Sequence, residues 1–104
     1  MMATKDEVLT ALDDVEDPEL KLSIVELGLV YDVRFESKEG KEHAEVDMTL
    51  TSPGCPAAAE IMAAAHRAAL NAVESVHINL VWSPRWDPKI HASEDARMDM
   101  GIWD

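Results

Sequence analysis

Two runs of strict alternation, separated by a short polar stretch, constrain the fold of this chain more than any other feature. From Leu29 to Glu36, Tyr31, Val33 and Phe35 fall on one side and Asp32, Arg34 and Glu36 on the other, the period of a strand with one buried face. Ala44, Val46, Met48 and Leu50 then alternate with Glu45, Asp47 and Thr49. Between the runs, Ser37-Lys38-Glu39-Gly40-Lys41 is polar and holds the only glycine of the region, so the two are predicted to pair as a hairpin. A third alternating run, Val76, Ile78, Leu80 and Trp82, is expected to complete a three-stranded sheet.

Helical signals fill the gaps. Thr4-Lys5-Asp6-Glu7 fits a capping box, and Val8, Leu9, Leu12 and Val15 follow at helical spacing, which predicts a helix over about 5–15. Pro18 disfavours helical backbone at Asp17 and should end that helix near Glu16. Ser23-Ile24-Val25-Glu26 repeats the box spacing ahead of Gly28, predicting one helical turn that feeds the first strand. Residues 56–73 form an alanine-rich helix. Ala58, Ile61, Met62, Ala65, Ala69 and Val73 make its apolar stripe, opposite Glu60, Arg67, Asn71 and Glu74. With strands on both sides of it, this helix implies a crossover between parallel neighbours. Ser93-Glu94-Asp95 opens a short last helix ending at Gly101. The expectation is an α+β fold in α-β-β-α-β order, with a mixed three-stranded sheet, two main helices and a short C-terminal helix.

With 104 residues and 47% hydrophobic content, the chain reads as one domain, 1–104, with enough apolar side chains for a core. Nine basic against 21 acidic residues give a net charge of −12, which removes the electrostatic drive for binding nucleic acid or anionic membranes. No apolar stretch approaches the roughly 20 residues of a membrane span. The N-terminal residues carry no leader pattern, so a cytoplasmic location is expected.

The most informative stretch for chemistry is Met48-Thr49-Leu50-Thr51-Ser52-Pro53-Gly54-Cys55-Pro56. A strand should end near Thr51 and a tight turn should follow. Pro56 would then occupy the first helical position, where its missing N–H costs nothing. Cys55, the only cysteine, then falls at or beside the N-cap, where free amides and the helix dipole favour a thiolate. A soft, exposed thiolate is a nucleophile or a metal ligand; the alternative is a small buried side chain. Asp17, Glu19 and Glu26 could orient a thiol or a metal, although Asp17 also suits a turn before Pro18 and Glu26 a capping box with Ser23. Thr49 and Thr51 read by themselves as exposed strand residues. His43, His66, His77 and His91 show no metal-ligand spacing with one another or with Cys55 and are expected to be solvated. Trp82, Trp86 and Trp103 read as core or tail packing.

Asp17-Pro18-Glu19-Leu20, Ile24 through Tyr31, Met48 through Pro56, Trp86, Ser93-Glu94-Asp95-Ala96-Arg97 and Gly101 together resemble the SufT/PaaD-like family of metal–sulfur cluster assembly factors, over nearly the whole chain. The resemblance implies an iron–sulfur-assembly-type α+β domain and a non-enzymatic role in maturing iron–sulfur proteins. It places the family's cysteine at Cys55 and its acidic motif at Asp17 and Glu19, with Thr49 and Thr51 lining the same pocket. It also implies transient iron or cluster ligation at Cys55, no organic cofactor, and scaffold or client apo-proteins as partners, with a homodimer compatible with the exposed sheet edges. The branch accessory to phenylacetate degradation carries a cysteine-bearing extension that is missing here, which favours the general assembly branch. A cysteine nucleophile acting on a thioester or persulfide, and an adaptor with a passive Cys55, are the competing readings.

Overall fold

A computed structural model describes residues 3–51 and 56–101. The expectations for Ser52-Pro53-Gly54, Cys55 and Trp103 lie outside the described residues. Helix α1, Lys5–Leu12, opens on the expected box: the Glu7 amide donates to Thr4 Oγ1 at 3.2 Å, and the Thr4 amide donates to Glu7 Oε1 at 3.1 Å. Val8 and Leu12 are fully buried. The helix stops three residues earlier than periodicity predicts, because the Val15 amide turns back to the Leu12 carbonyl and the chain enters extended pairing. Strand β1, Glu16–Asp17, runs antiparallel to β2, Leu22–Ser23, closing a small hairpin around Pro18 that the sequence did not announce.

From Ser23 the expected single turn forms. The Leu27 amide donates to the Ser23 carbonyl at 2.9 Å, and Gly28 takes φ +75°. Strand β3, Val30–Lys38, pairs antiparallel with β4, Lys41–Met48, across Glu39 and Gly40, both at positive φ. That backbone suits a two-residue hairpin turn. Strand β5, Ser75–Leu80, lies parallel to β4, giving the mixed order β3-β4-β5.

The register of β3 slips between Val30 and Asp32. An extra residue in one strand turns the side chains that follow. Val30 rather than Tyr31 therefore packs on the core, while Tyr31 stands against His91 with ring centroids 5.1 Å apart. The expected grouping of Tyr31 with Val33 and Phe35 fails for this reason.

Helix α2, Ala58–Ala69, packs on α1 and β5, and Ile61, Ala65, Ala69 and Val73 are buried as the stripe predicts. Its N-cap is Ala57, at φ −97° and ψ 10°, and its first bond is Ile61 amide to Ala57 carbonyl. Pro56 is thus outside the helix, and the start falls two residues later than expected. Ala57 has no side-chain acceptor to anchor a cap. At the other end α2 stops at Ala69, short of the expected 73, and the amides of Asn71, Ala72 and Val73 turn back to the Ala68 and Ala69 carbonyls. Leu80 and Trp82 are substantially exposed rather than core, since β5 ends at Leu80.

The tail forms two short helices, α3, Pro88–His91, and α4, Glu94–Asp99; Ser93 caps α4 through the Ala96 amide and Gly101 follows at φ +78°. Trp86 Nε1 donates to the Leu27 carbonyl at 2.7 Å, and the Ser93 amide donates to the Glu26 carbonyl at 2.7 Å. These bonds latch the tail across the turn that launches β3.

Candidate functional site

The Pro18 hairpin is held by Asp17. Its side chain is only 1% exposed, and Oδ1 accepts the amides of Glu19 at 2.8 Å and Leu20 at 3.2 Å. The Lys21 amide donates to the Asp17 carbonyl, with Lys21 itself at φ 57°. A short carboxylate that collects amides one turn ahead is the chemistry of a tight loop. The described bonds of Asp17 are thus those of the turn. Glu19 is exposed on the outside of this loop. Glu26 does not close a box with Ser23: its Oε2 accepts the Ser93 hydroxyl at 2.5 Å and helps hold the tail.

Pro18 shares a groove with α2 that runs along most of the helix, lined by Asp14, Glu16, Pro18, Glu60, Ile61 and Arg67 among others. The acidic loop therefore lies beside the helix that the chain enters soon after Cys55.

Thr49 departs from its expected exposure. It is 1% exposed, its amide donates to the Leu29 carbonyl at 2.8 Å, and Oγ1 has no hydrogen-bond partner among the described residues. A buried hydroxyl without a partner is uncommon and costly. Thr51, the last described residue before position 56, is half-buried. The Tyr31 hydroxyl is likewise buried and without a partner among the described residues, and burial raises its pKa. The latched tail packs over Gly28, where an added Cβ would meet the His91 carbonyl oxygen at 1.9 Å. Only glycine satisfies both that approach and the positive φ.

On the opposite face of the sheet the outward residues of three strands form a continuous polar ladder. Arg34 grips Asp47 with both terminal nitrogens, at 2.6 and 2.9 Å, and reaches Asp32 at 3.0 Å. These bonds hold the Arg34 pKa above its ordinary value and the Asp47 pKa below its own. Asn79 donates to both Asp47 and Glu45. Hydrogen bonds from His43 first, then Asn79 and His77, bring the Glu45 carboxyl down to about 2. His43 is 4% exposed, contrary to the solvated state expected of it, because Ser75 and Glu45 occupy both ring nitrogens. His66 and His77 are exposed and His91 is half-buried against Tyr31.

These features define a class first: a small α+β domain with a mixed three-stranded sheet, helices on one face and a tail latched over the sheet's entry. A crystal structure of a domain of unknown function, DUF59, from Bacillus anthracis has the same arrangement, with a TM-score of 0.81, 35% identity, and coverage of 95% of this chain and 92% of that one. A family model described as iron–sulfur cluster assembly protein matches residues 5–79. The chain is 40% identical over 96% of both lengths to the Fe-S protein maturation auxiliary factor YitW of Bacillus subtilis. It is 41% identical to the Fe-S protein maturation auxiliary factor SufT of Staphylococcus aureus, over 85% of this chain and 98% of that one. The chain belongs to the iron–sulfur cluster assembly protein family.

Proposed function

We propose that this chain is an iron–sulfur protein maturation factor in which the Cys55 thiolate transiently ligates iron or a cluster, and in which the acidic surface docks client or scaffold proteins. The observation that carries the reading is the groove that the Pro18 loop shares with α2, the helix that follows Cys55 in the sequence. The Pro18 loop lies along α2, and Cys55 precedes the first residue of that helix by three positions and follows Thr51 by four. The names of the YitW and SufT relatives support the same role.

The helix start fits an anion better than a neutral group. The N-cap Ala57 supplies no side-chain acceptor, so the first-turn amides and the positive end of the dipole remain for an anionic sulfur nearby. The N-cap is Ala57, two positions after Cys55 in the sequence, rather than Cys55 itself. Thr49, just past the end of β4, contributes a buried hydroxyl without a partner among the described residues. Asp17 and Glu19 act as the loop's shape and charge, with Thr51 at the rim. One thiolate cannot hold a cluster alone, since clusters take about four cysteine ligands. The remaining ligands come from the client, the scaffold, a second copy or a small thiol, and the absence of a full ligand set makes the cargo releasable. The net charge of −12 steers basic surfaces of partners toward the chain. The role is that of a carrier and docking factor, without turnover of an organic substrate.

Anaerobic activation of an iron–sulfur client apo-protein tests this. Cys55→Ala should abolish the acceleration given by the parent chain. Thr49→Val, which replaces a hydroxyl that has no partner among the described residues by an isosteric methyl, should leave the fold as stable or slightly more stable while lowering activation several-fold. Equal activation by the parent and Cys55→Ala would refute the thiolate role.

A further inference from the structure

We propose that Glu36, His43 and Glu45, on the sheet face away from the helices, form a binding site for a first-row divalent cation such as Zn²⁺. One ligand atom from each of the three lies within 4.8 Å of the others. The sheet itself makes the cluster: Glu36 sits directly opposite His43 across the β3–β4 pair, and Glu45 follows two positions along β4 on the same face. Groups placed by strand register hold their spacing better than groups on a loop.

His43 has the environment of a ligand imidazole. It is 4% exposed, Nε2 points at Glu45 Oε2 from 2.5 Å, and Nδ1 lies 2.8 Å from the Ser75 hydroxyl on β5. A metal-bound histidine almost always has an oxygen partner on its other ring nitrogen, which fixes ring orientation and tautomer. Ser75 supplies it. The Ser75 hydroxyl can donate to Nδ1 or accept from it, so it can hold the ring in either tautomer, including the one that leaves Nε2 for an ion. Glu45 is also oriented from behind, because its Oε1 accepts from His77 Nδ1 at 3.1 Å and Asn79 Nδ2 at 3.0 Å.

The geometry closes with side-chain rotation alone. Ligands about 2.1 Å from a tetrahedral ion stand about 3.4 Å apart. The His43–Glu45 contact must therefore open slightly, and the exposed Glu36 must exchange the interaction it now makes for the ion. Two carboxylates and an imidazole offset a double positive charge. This mixed nitrogen and oxygen set suits zinc, ferrous or manganous ions rather than the softer cuprous ion. Three protein ligands leave a position for water or a partner's side chain.

The site is independent of the sulfur, so it is tested in the full chain carrying Cys55→Ser, by calorimetric titration with Zn²⁺ and by visible absorption with Co²⁺. The expected result is one ion per chain. Glu36→Gln and Glu45→Gln should bind at least tenfold more weakly, and Ser75→Ala about tenfold more weakly through loss of ring orientation. Zn²⁺ should raise the melting temperature of the Cys55→Ser chain and not that of Glu45→Gln. Because the buried His43 is a risk to folding, the two exposed or half-exposed glutamates carry the decision. No binding by the Cys55→Ser chain, or unchanged affinity in both glutamine variants, would overturn the site while leaving the Cys55 proposal untouched.

Discussion

Gly28 illustrates how a single residue can be required twice. Its φ of +75° alone would cost a side-chain-bearing residue about 1–2 kcal/mol, and its Cβ position is occupied by the His91 backbone. Gly28→Ala should therefore cost more than about 2 kcal/mol by denaturant unfolding. Gly40→Ala, at φ +80° with nothing within 4 Å, should cost only the backbone strain of about 1–2 kcal/mol. Equal losses would show that the tail does not press on Gly28. Tyr31, the only tyrosine, offers a second test. Burial raises its pKa from the ordinary 10.0, so the unfolded chain ionises first as pH rises. Stability should be constant below pH 10 from this group and fall above it, and the phenolate absorbance of the native chain should appear above that of the unfolded one. A coincident titration would contradict the burial. Residue identity alone made Gly28 legible as a left-handed position, but not the contact with His91, which lies 63 positions away in the chain. The burial of His43 and Thr49 was equally hidden, since neighbouring elements create it.

At the scale of elements, the tail is held as much by side chains as by its own helices. Trp86 bonds the Leu27 carbonyl, and Ser93 bonds Glu26 while capping α4. Trp86→Phe should strand a buried carbonyl at a cost of about 1–2 kcal/mol and speed hydrogen exchange of the Ser93 amide, which rests on Glu26. Unchanged exchange would show that the latch lies elsewhere. The hairpin and α2 were readable because a period of two and an apolar stripe survive any packing arrangement. The bulge at Tyr31 and the small hairpin around Pro18 left no such periodic trace, since each depends on backbone pairing across two or more segments. The start of α2 was misplaced because Pro56 permits a first helical turn without compelling one.

For the whole molecule, the order of separated motifs carried more information than any one of them. The acidic Pro18 segment, the Thr49 strand end and the latched tail are distant in sequence, yet the fold gathers the first beside α2 and the third over the entry to β3. No helix among the described residues is long and apolar enough to cross a membrane, and the 21 acidic against nine basic residues give the chain a strong negative charge. The most direct measurement of the central claim is the activity of an iron–sulfur enzyme in bacterial cells that lack their own maturation factor of this family. The parent chain should restore it, and Cys55→Ser, expressed at equal level and equally stable, should not. Full restoration by the serine variant would contradict the account, because the chain would then act without its sulfur.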